Sequence, residues 1–180
     1  MHRGGHHGVA LLAYAPVLLA LRLARPEWLL LGLVGAVCIV NPLWPVSRLT
    51  SLDVSFSLSM LPDLDMKLPG VKHRGITHTV WFAAVAGAVC GLIGLAVAPV
   101  LAPLLVPEAG PAGRLVVAGF LGYVGVHSVL THLLADVLTP MGIEPFAPLD
   151  GRNYSLDLWK ASNPAANYGL LAVGVLADAG

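Results

Sequence analysis

The residues best suited to bind a metal ion are histidines and aspartates that fall in four short segments of the chain. The sequence holds seven histidines and ten acidic residues among 180. Ionisable groups are costly inside a bilayer, so their positions in a strongly apolar chain are informative. Imidazole and carboxylate donors together suit borderline divalent metals such as zinc, manganese or iron. The candidate ligands are His6, His7, Asp63, Asp65, His73, His78, His132 and Asp136.

In two of these segments, the spacing of the candidate ligands indicates how they can bind a cation together. His132 and Asp136 are four residues apart, so on a helix they share one face and can hold one ion or one water molecule. Asp63 and Asp65 form an Asp-x-Asp pair beside proline, on irregular chain, where they can bridge or flank cations. Both pairs predict a cation site in which carboxylates take part.

The other two segments contribute histidines. His73 and His78 flank Gly75, which lets the chain bend and bring both rings together without helical spacing. His6 and His7 are adjacent and point in different directions on a helix, so at most one of them is expected to ligate.

Three further polar residues receive no ligand role. His127 lies five residues before His132, about 140° away around a helix, and is expected beside the site or bonded to a carbonyl. His2 is expected at the interface, and Asp53 in a cap or loop.

The composition identifies the kind of chain that must position these residues. Hydrophobic residues make up 57% and charged residues 11%, with zero net charge, against roughly 25% charged residues in soluble domains. A disordered chain needs more charge, and a nucleic-acid binder a basic excess, so no nucleic-acid partner is expected. Cys38 and Cys90 lie in apolar runs and suggest neither a disulfide framework nor a metal site. An integral membrane protein with the lipid bilayer as its partner remains.

The apolar runs predict an all-α polytopic bundle of four to five transmembrane helices, in one domain over residues 1–180. A spanning helix needs about 20 mostly apolar residues. The last apolar run, residues 164–176, is short for a span. Asn163 is suited to be the N-cap of this helix, and Pro164 is suited to its first turn. Gly119, Gly122 and Gly125 are spaced by three, which favours close helix packing. The predicted spans are residues 7–23, 28–46, 79–106, 115–138 and, as the short fifth run, 164–176.

The order of spans predicts one membrane side for every candidate ligand. If the N-terminus lies on that side, the polar segments 47–78 and 139–162 lie there too. Seven of the ten basic residues then gather on this side, so it is expected to be cytoplasmic. The chain is therefore predicted to be a multi-pass cell-membrane protein with a metal site at its cytoplasmic face.

Several motifs together resemble the YdjM-like family of membrane-associated, predicted metal-dependent hydrolases, often labelled LexA-binding inner-membrane proteins. The resemblance runs from about residue 5 to residue 146 and departs at Met66, where the family often has histidine. The matching residues are Gly5-His6 (or His7 with a one-residue shift), Leu-Pro-Asp-Leu-Asp at 61–65, His-Arg-Gly-Ile-Thr-His-Thr at 73–79, Leu-Gly-Tyr at 121–123 and His-x3-Asp-x2-Thr-Pro-x-Gly at 132–142.

The resemblance implies a metal-dependent hydrolase with one or two divalent ions, zinc first and manganese or iron as alternatives. A bound cation lowers the pKa of water from about 16 toward about 7, and Asp63 or Asp65 outside the coordination shell would act as general base. Arg74 either binds an anionic group, pointing to a phosphoester or lipid-headgroup substrate, or pairs with Asp63 or Asp65. Thr77 and Thr139 are expected to cap helices or support the ligands.

Two other functions fit the same residues. A cation transporter or channel would place its ligands near the middle of the membrane and open to both faces. A membrane metal-binding protein without hydrolase activity would enclose its metal with no exchangeable water. Residues 152–154 are expected in a solvated loop rather than at the mouth of the site.

Overall fold

Five α-helices make up most of the described chain in this computed structural model, which describes residues 1–41 and 57–179. Short 3₁₀ helices at Leu58–Met60, Pro62–Lys67 and Ile76–His78 lead into α3. The described residues form no β-sheet, and the predicted all-α class is confirmed. The helices are α1 (Arg3–Ala24), α2 (Leu29–Val40), α3 (Val80–Leu105), α4 (Gly113–Val137) and α5 (Pro164–Ala179).

Three stretches of the described chain are long and apolar enough to cross a membrane: Arg3–Ala24, Val80–Leu105 and Pro107–Val137. The helical stretch Pro26–Val40 is apolar but shorter, and residues 42–46 of the predicted second span lie outside the described residues. Helix α5 has 16 residues, short for a span as predicted. Many large apolar side chains of α3 face outward, as in a helix that contacts lipid.

Helices α3 and α4 pack as an antiparallel pair through small residues. A β-carbon at Gly122 would lie 3.2 Å from the Gly87 carbonyl oxygen, and one at Gly125 would lie 2.9 Å from the Ala86 carbonyl oxygen. Gly119 has open space around it. The predicted glycine packing therefore holds at two of the three positions, and it places the start of α3 beside the end of α4.

Helices α1 and α5 run parallel and also meet at glycines. Gly4 faces the Asn167 backbone, and a β-carbon at Gly8 would lie 2.3 Å from the Leu170 carbonyl carbon. Asn163 caps α5 as predicted, its Oδ1 accepting a backbone amide at 3.2 Å. The starts of α1 and α5 consequently lie at one end of the bundle.

The segment after α4 folds back over that same end. The Leu156 amide donates to the Val137 carbonyl at 2.7 Å, and the Val80 amide donates to the Pro145 carbonyl at 2.9 Å. These bonds use backbone groups at a helix end and a helix start, which have no partner within their own helices. The starts of α1, α3 and α5, the end of α4 and the loops between them therefore surround one region.

Candidate metal centre

Two buried histidines present their Nε2 atoms to each other. His132, in the last turns of α4, has Nδ1 2.7 Å from the Ser59 carbonyl oxygen. Since a carbonyl only accepts, this Nδ1 carries the proton and Nε2 holds a lone pair. His78, just before α3, has Nδ1 3.4 Å from Asp65 Oδ2, which favours the same tautomer. The two Nε2 atoms are 3.3 Å apart.

Two carboxylates complete a set of four donor atoms. Asp63 Oδ1 lies 3.4 Å from the His132 Nε2 and 3.5 Å from the His78 Nε2. Asp136 Oδ2 lies 3.5 Å from the His78 Nε2 and 3.7 Å from the His132 Nε2. The Asp136 side chain is fully buried and that of Asp63 is 11% exposed. Residues far apart in sequence thus converge in the structure.

Taken with the two nitrogens, each carboxylate has separations that suit a small bound cation. Zinc held tetrahedrally at roughly 2.0–2.2 Å from each ligand places its ligand atoms about 3.3–3.6 Å apart. Two facing lone pairs, by contrast, cannot bond to each other without a proton or a cation between them. His78, His132 and Asp136 form one of three overlapping sets whose ligand atoms all lie within 4.8 Å of one another. The donor set therefore fits a divalent metal.

His6 supplies a further donor, whereas His7 turns elsewhere. The His6 ring stacks on the His132 ring with centroids 3.8 Å apart, and its Nε2 lies 3.8 Å from Asp136 Oδ1. Neither ring nitrogen of this buried residue has a hydrogen-bond partner among residues 1–41 and 57–179. The His7 Nδ1 instead lies 2.7 Å from Ser59 Oγ. Of the two adjacent histidines, His6 is the one that the structure brings to the centre.

Asp65 supports the centre from behind rather than facing it. Its Oδ1 lies 2.9 Å from the His73 Nδ1, and its Oδ2 accepts from the Thr77 hydroxyl at 2.6 Å. Together with its contact to His78, these bonds hold the rings of His73 and His78 in place. The His73 side chain is 40% exposed, and one of its ring nitrogens lies within 4.8 Å of ligand atoms of Asp63 and His78.

Arg74 pairs with a carboxylate other than the two expected. Its Nη2 donates to Asp136 Oδ1 at 2.7 Å and its Nη1 donates to the Gly142 carbonyl at 2.8 Å. The expectation of a side-chain pair with Asp63 or Asp65 is therefore wrong; only the Arg74 backbone amide reaches Asp65, at 3.3 Å. A positive φ of 60° at Arg74 turns the loop there, and sequence spacing did not show that the turn would bring this guanidinium to α4.

Two groups at the centre were missed by sequence reasoning. Ser59 holds His132 through its carbonyl and His7 through its hydroxyl, and a carbonyl contact leaves no signature in residue types. The Met1 amino nitrogen lies 2.8 Å from Asp136 Oδ1. Asp136 therefore has two basic neighbours, this amino group and Arg74. Thr139 donates to the Asp136 backbone carbonyl at 2.8 Å, at the end of α4.

Electrostatics keep the loop ligands in their metal-binding forms. Burial raises the pKa of the Asp63 carboxyl, but hydrogen bonds with His132 and His78 outweigh it and hold that pKa well below its usual value. Burial lowers the pKa of His78, despite the opposing hydrogen bond with Asp63. Near neutral pH Asp63 is therefore a carboxylate and His78 a neutral ring, the forms that coordinate metals.

The remaining candidates lie away from the centre. The His127 Nε2 is 3.0 Å from the Ala10 carbonyl oxygen and its Nδ1 is 3.2 Å from the Tyr123 hydroxyl, so His127 ties α4 to α1 as one alternative predicted. Residues 152–154 are exposed, as expected for a solvated loop, and Met66 is 63% exposed. Asp53 lies outside the described residues.

Comparison with known proteins gives one result. The model of the YdjM inner membrane protein family matches residues 1–179. No curated protein and no solved structure matches the chain significantly. The family match covers all of the residues at the centre and confirms the resemblance that the motifs indicated.

Proposed function

Because this chain belongs to the YdjM inner membrane protein family, we propose that it is a membrane-embedded, metal-dependent hydrolase. Its proposed substrate is a phosphoester or lipid-type molecule at the cytoplasmic face. One observation supports this best: the Nε2 atoms of His78 and His132 converge with oxygens of Asp63 and Asp136 at separations of 3.3–3.7 Å. Zinc suits this mixed donor set first, and manganese or iron second.

In this proposal the four converging residues hold the ion and His6 adds a fifth donor. A bound divalent ion would lower the pKa of a water molecule toward about 7 and polarise a phosphoryl oxygen. Asp65 keeps the His78 ring in its ligating orientation, and the Ser59 carbonyl does the same for His132.

Proton transfer is assigned to His73 rather than to a carboxylate. Asp65 already accepts hydrogen bonds from the Thr77 hydroxyl and the Arg74 amide, so it is a poor base. Its hydrogen bond to the His73 Nδ1 leaves the His73 Nε2 to accept a proton at the open side of the site. Asp65 would stabilise the imidazolium that forms.

Arg74 has a positioning role in this scheme. Two of its donors are engaged by Asp136 Oδ1 and the Gly142 carbonyl. These bonds orient the carboxylate so that its other oxygen faces His78 and His132. The alternative that Arg74 binds the substrate phosphate is therefore less well supported than it was from sequence.

A second function, a membrane metal-binding protein without hydrolase activity, is favoured by one observation. His6, His78 and His132 are completely buried, and structural metal sites are closed in this way. A transporter is less well supported, since the donors gather at one end of the bundle. Vesicle flux of zinc or manganese would detect transport directly.

The test is hydrolysis of a phosphomonoester and a phosphodiester chromogenic substrate by protein in lipid nanodiscs. We expect chelator to abolish turnover and added zinc, manganese or iron to restore it. His132→Ala should lose both metal and turnover, whereas His73→Gln should keep metal and lose turnover; His2→Gln is the matched control. Metal retained with no turnover of any phosphoester would instead support the structural role, and turnover insensitive to chelator would overturn the proposal.

The cytoplasmic side of the site needs its own test. In a Cys38→Ala, Cys90→Ala background, Lys160→Cys places one exposed thiol at the metal-centre end. A membrane-impermeant thiol reagent should label it only after the cells are opened. Labelling in intact spheroplasts would place the site on the opposite face.

A further inference from the structure

Large apolar side chains stand exposed on the loops at the metal-centre end, outside the stretches that can span a membrane. Single exposed apolar residues are common on soluble proteins, but a group on adjoining loops marks an interaction surface. Seven such side chains of the described residues are each more than half exposed, and together they are called the apolar rim. They are Met66, Leu68, Ile76, Met141, Leu149, Leu156 and Leu158.

The two loops that carry the apolar rim are joined to each other. The Arg74 guanidinium on the first loop donates to the Gly142 carbonyl on the second at 2.8 Å. The second loop is also bonded to the start of α3 through Val80 and Pro145, and to the end of α4 through Val137 and Leu156. The apolar rim therefore lies on two connected loops beside these two helix ends.

The metal centre opens onto this surface. Its histidines on α1 and α4 are fully buried, whereas His73 is 40% and Asp63 is 11% exposed. Both of these residues lie on the first loop, close in sequence to Met66 and Leu68. The exposed part of the centre therefore lies on the same loop as two side chains of the apolar rim.

The depth of the apolar rim matches the boundary of the bilayer. The candidate spans begin at Val80 and end at Val137, within a few residues of both loops. Trp81 is 46% exposed in the first turn of α3, a position typical of the aromatic belt at a membrane interface. Apolar side chains at this level meet the layer between headgroups and acyl chains.

Electrostatic attraction to anionic lipids does not account for contact between the apolar rim and the bilayer. Four exposed basic residues, Lys67, Lys72, Arg152 and Lys160, lie on these loops, and three acidic residues, Glu144, Asp150 and Asp157, lie there as well. A surface of mixed charge gains little from anionic lipids, so its attachment must come from burial of apolar area. Binding of this kind is insensitive to salt.

We propose that the apolar rim is embedded in the interfacial layer of the bilayer and that the substrate is an amphiphilic phosphoester lipid. Its tail stays in the membrane while its headgroup reaches the centre past His73. The choice of substrate rests on the hydrolase function proposed above, but the embedding of the apolar rim does not. A second copy of the chain, or a partner protein, is the rival occupant.

Spin labels in nanodiscs test the embedding without any need for metal or activity. Labels are placed by Leu68→Cys and Leu149→Cys in the Cys38→Ala, Cys90→Ala background, with Arg152→Cys as the control on the same loop. We expect labels 68 and 149 to collide more often with oxygen than with a water-soluble nickel chelate, at low and high salt alike, and label 152 to do the reverse. Nickel access equal to that of label 152 would overturn the proposal. Shielding of both labels from both reagents would indicate a protein occupant and overturn it equally.

Turnover tests the substrate class separately. A long-chain phosphoester lipid and its short-chain soluble analogue are compared in the wild type and in a Leu68→Asp, Leu149→Asp variant. The variant should lose about tenfold or more of its lipid turnover and keep its turnover of the soluble analogue. Equal losses on both would contradict lipid entry. If neither substrate is hydrolysed by the wild type, the hydrolase function fails while the spin-label result still decides the embedding.

Discussion

The two ends of the helix bundle differ in whether they bury carboxylates. At the far end, Arg25 and Glu27 pair at 3.4 Å with side chains 59% and 38% exposed, and the Trp28 indole donates to Glu108. At the metal-centre end, the carboxylates of Asp65 and Asp136 are almost completely buried.

The exposed and the buried charged residues differ in what they cost the fold. Exposed ion pairs contribute roughly 0–1 kcal/mol and only need water nearby. Buried ionisable groups are costly unless each finds a partner, so a fold that collects them has a use for them. Among residues 1–41 and 57–179, neither ring nitrogen of His6 has a hydrogen-bond partner, so this buried ring keeps a donor atom available.

The largest contrast is expected when one arginine is removed from each end. Arg74→Ala takes away the guanidinium bound to buried Asp136 and should cost about 3 kcal/mol of unfolding free energy. Arg25→Ala breaks an exposed pair and should cost less than about 0.5 kcal/mol. Unfolding in mixed micelles, followed by tryptophan fluorescence, measures both. Similar losses for the two variants would remove the distinction between the ends.

A smaller effect is expected from the carboxylate behind the ligands. Asp65→Asn keeps the shape but replaces one acceptor oxygen with a donor, which disturbs the rings of His73 and His78. Metal affinity should fall by roughly tenfold to a hundredfold, measured by competition with a fluorescent chelator. Asp150→Asn, at the same end but outside the centre, is the control and should bind as the wild type does. An unchanged affinity in Asp65→Asn would mean that this carboxylate does not position His78.

The smallest effect is expected from mild acidification. The pKa of His78 lies below its ordinary value through burial, and that of Asp63 is lowered through its histidine hydrogen bonds. Both stay deprotonated on acidification from about pH 7.5 to about 6.5, so protons do not compete for them there, and competition begins only at lower pH. Metal affinity at these two pH values, from equilibrium dialysis, should be nearly equal. A fall of about twofold would mean that a ligand titrates with the ordinary histidine pKa of about 6.5.

Sequence patterns predicted the helices and the end of the bundle that holds the site. Bilayer thickness sets the length of an apolar run, so the positions of the spans follow from composition. The four-residue spacing of His132 and Asp136 then places both on one face of α4, as the structure shows. The short length of α5 also follows from its run of apolar residues.

The sequence could not predict that Asp63 faces His78 and His132 while Asp65 lies behind the histidines. The two lie in a 3₁₀ helix, Pro62–Lys67, where residues two apart are rotated by about 240° and face different ways. Which one faces His132 depends on how the loop docks against α4. The same docking decides that Arg74 reaches Asp136 and that Ser59 supports His132. Such contacts arise from tertiary packing, so no pattern of residue spacing in the sequence predicts them.

The central claim is that His78 and His132 hold a metal ion, and elemental analysis of purified protein tests it most directly. The wild type and His2→Ala should carry a divalent metal in stoichiometric amount, and a His78→Ala, His132→Ala variant should carry almost none. His2 is the matched control, because it is an exposed histidine ahead of the buried His6. Equal, near-zero metal in all three proteins after purification without chelator, and after incubation with zinc, manganese or iron, would contradict the account.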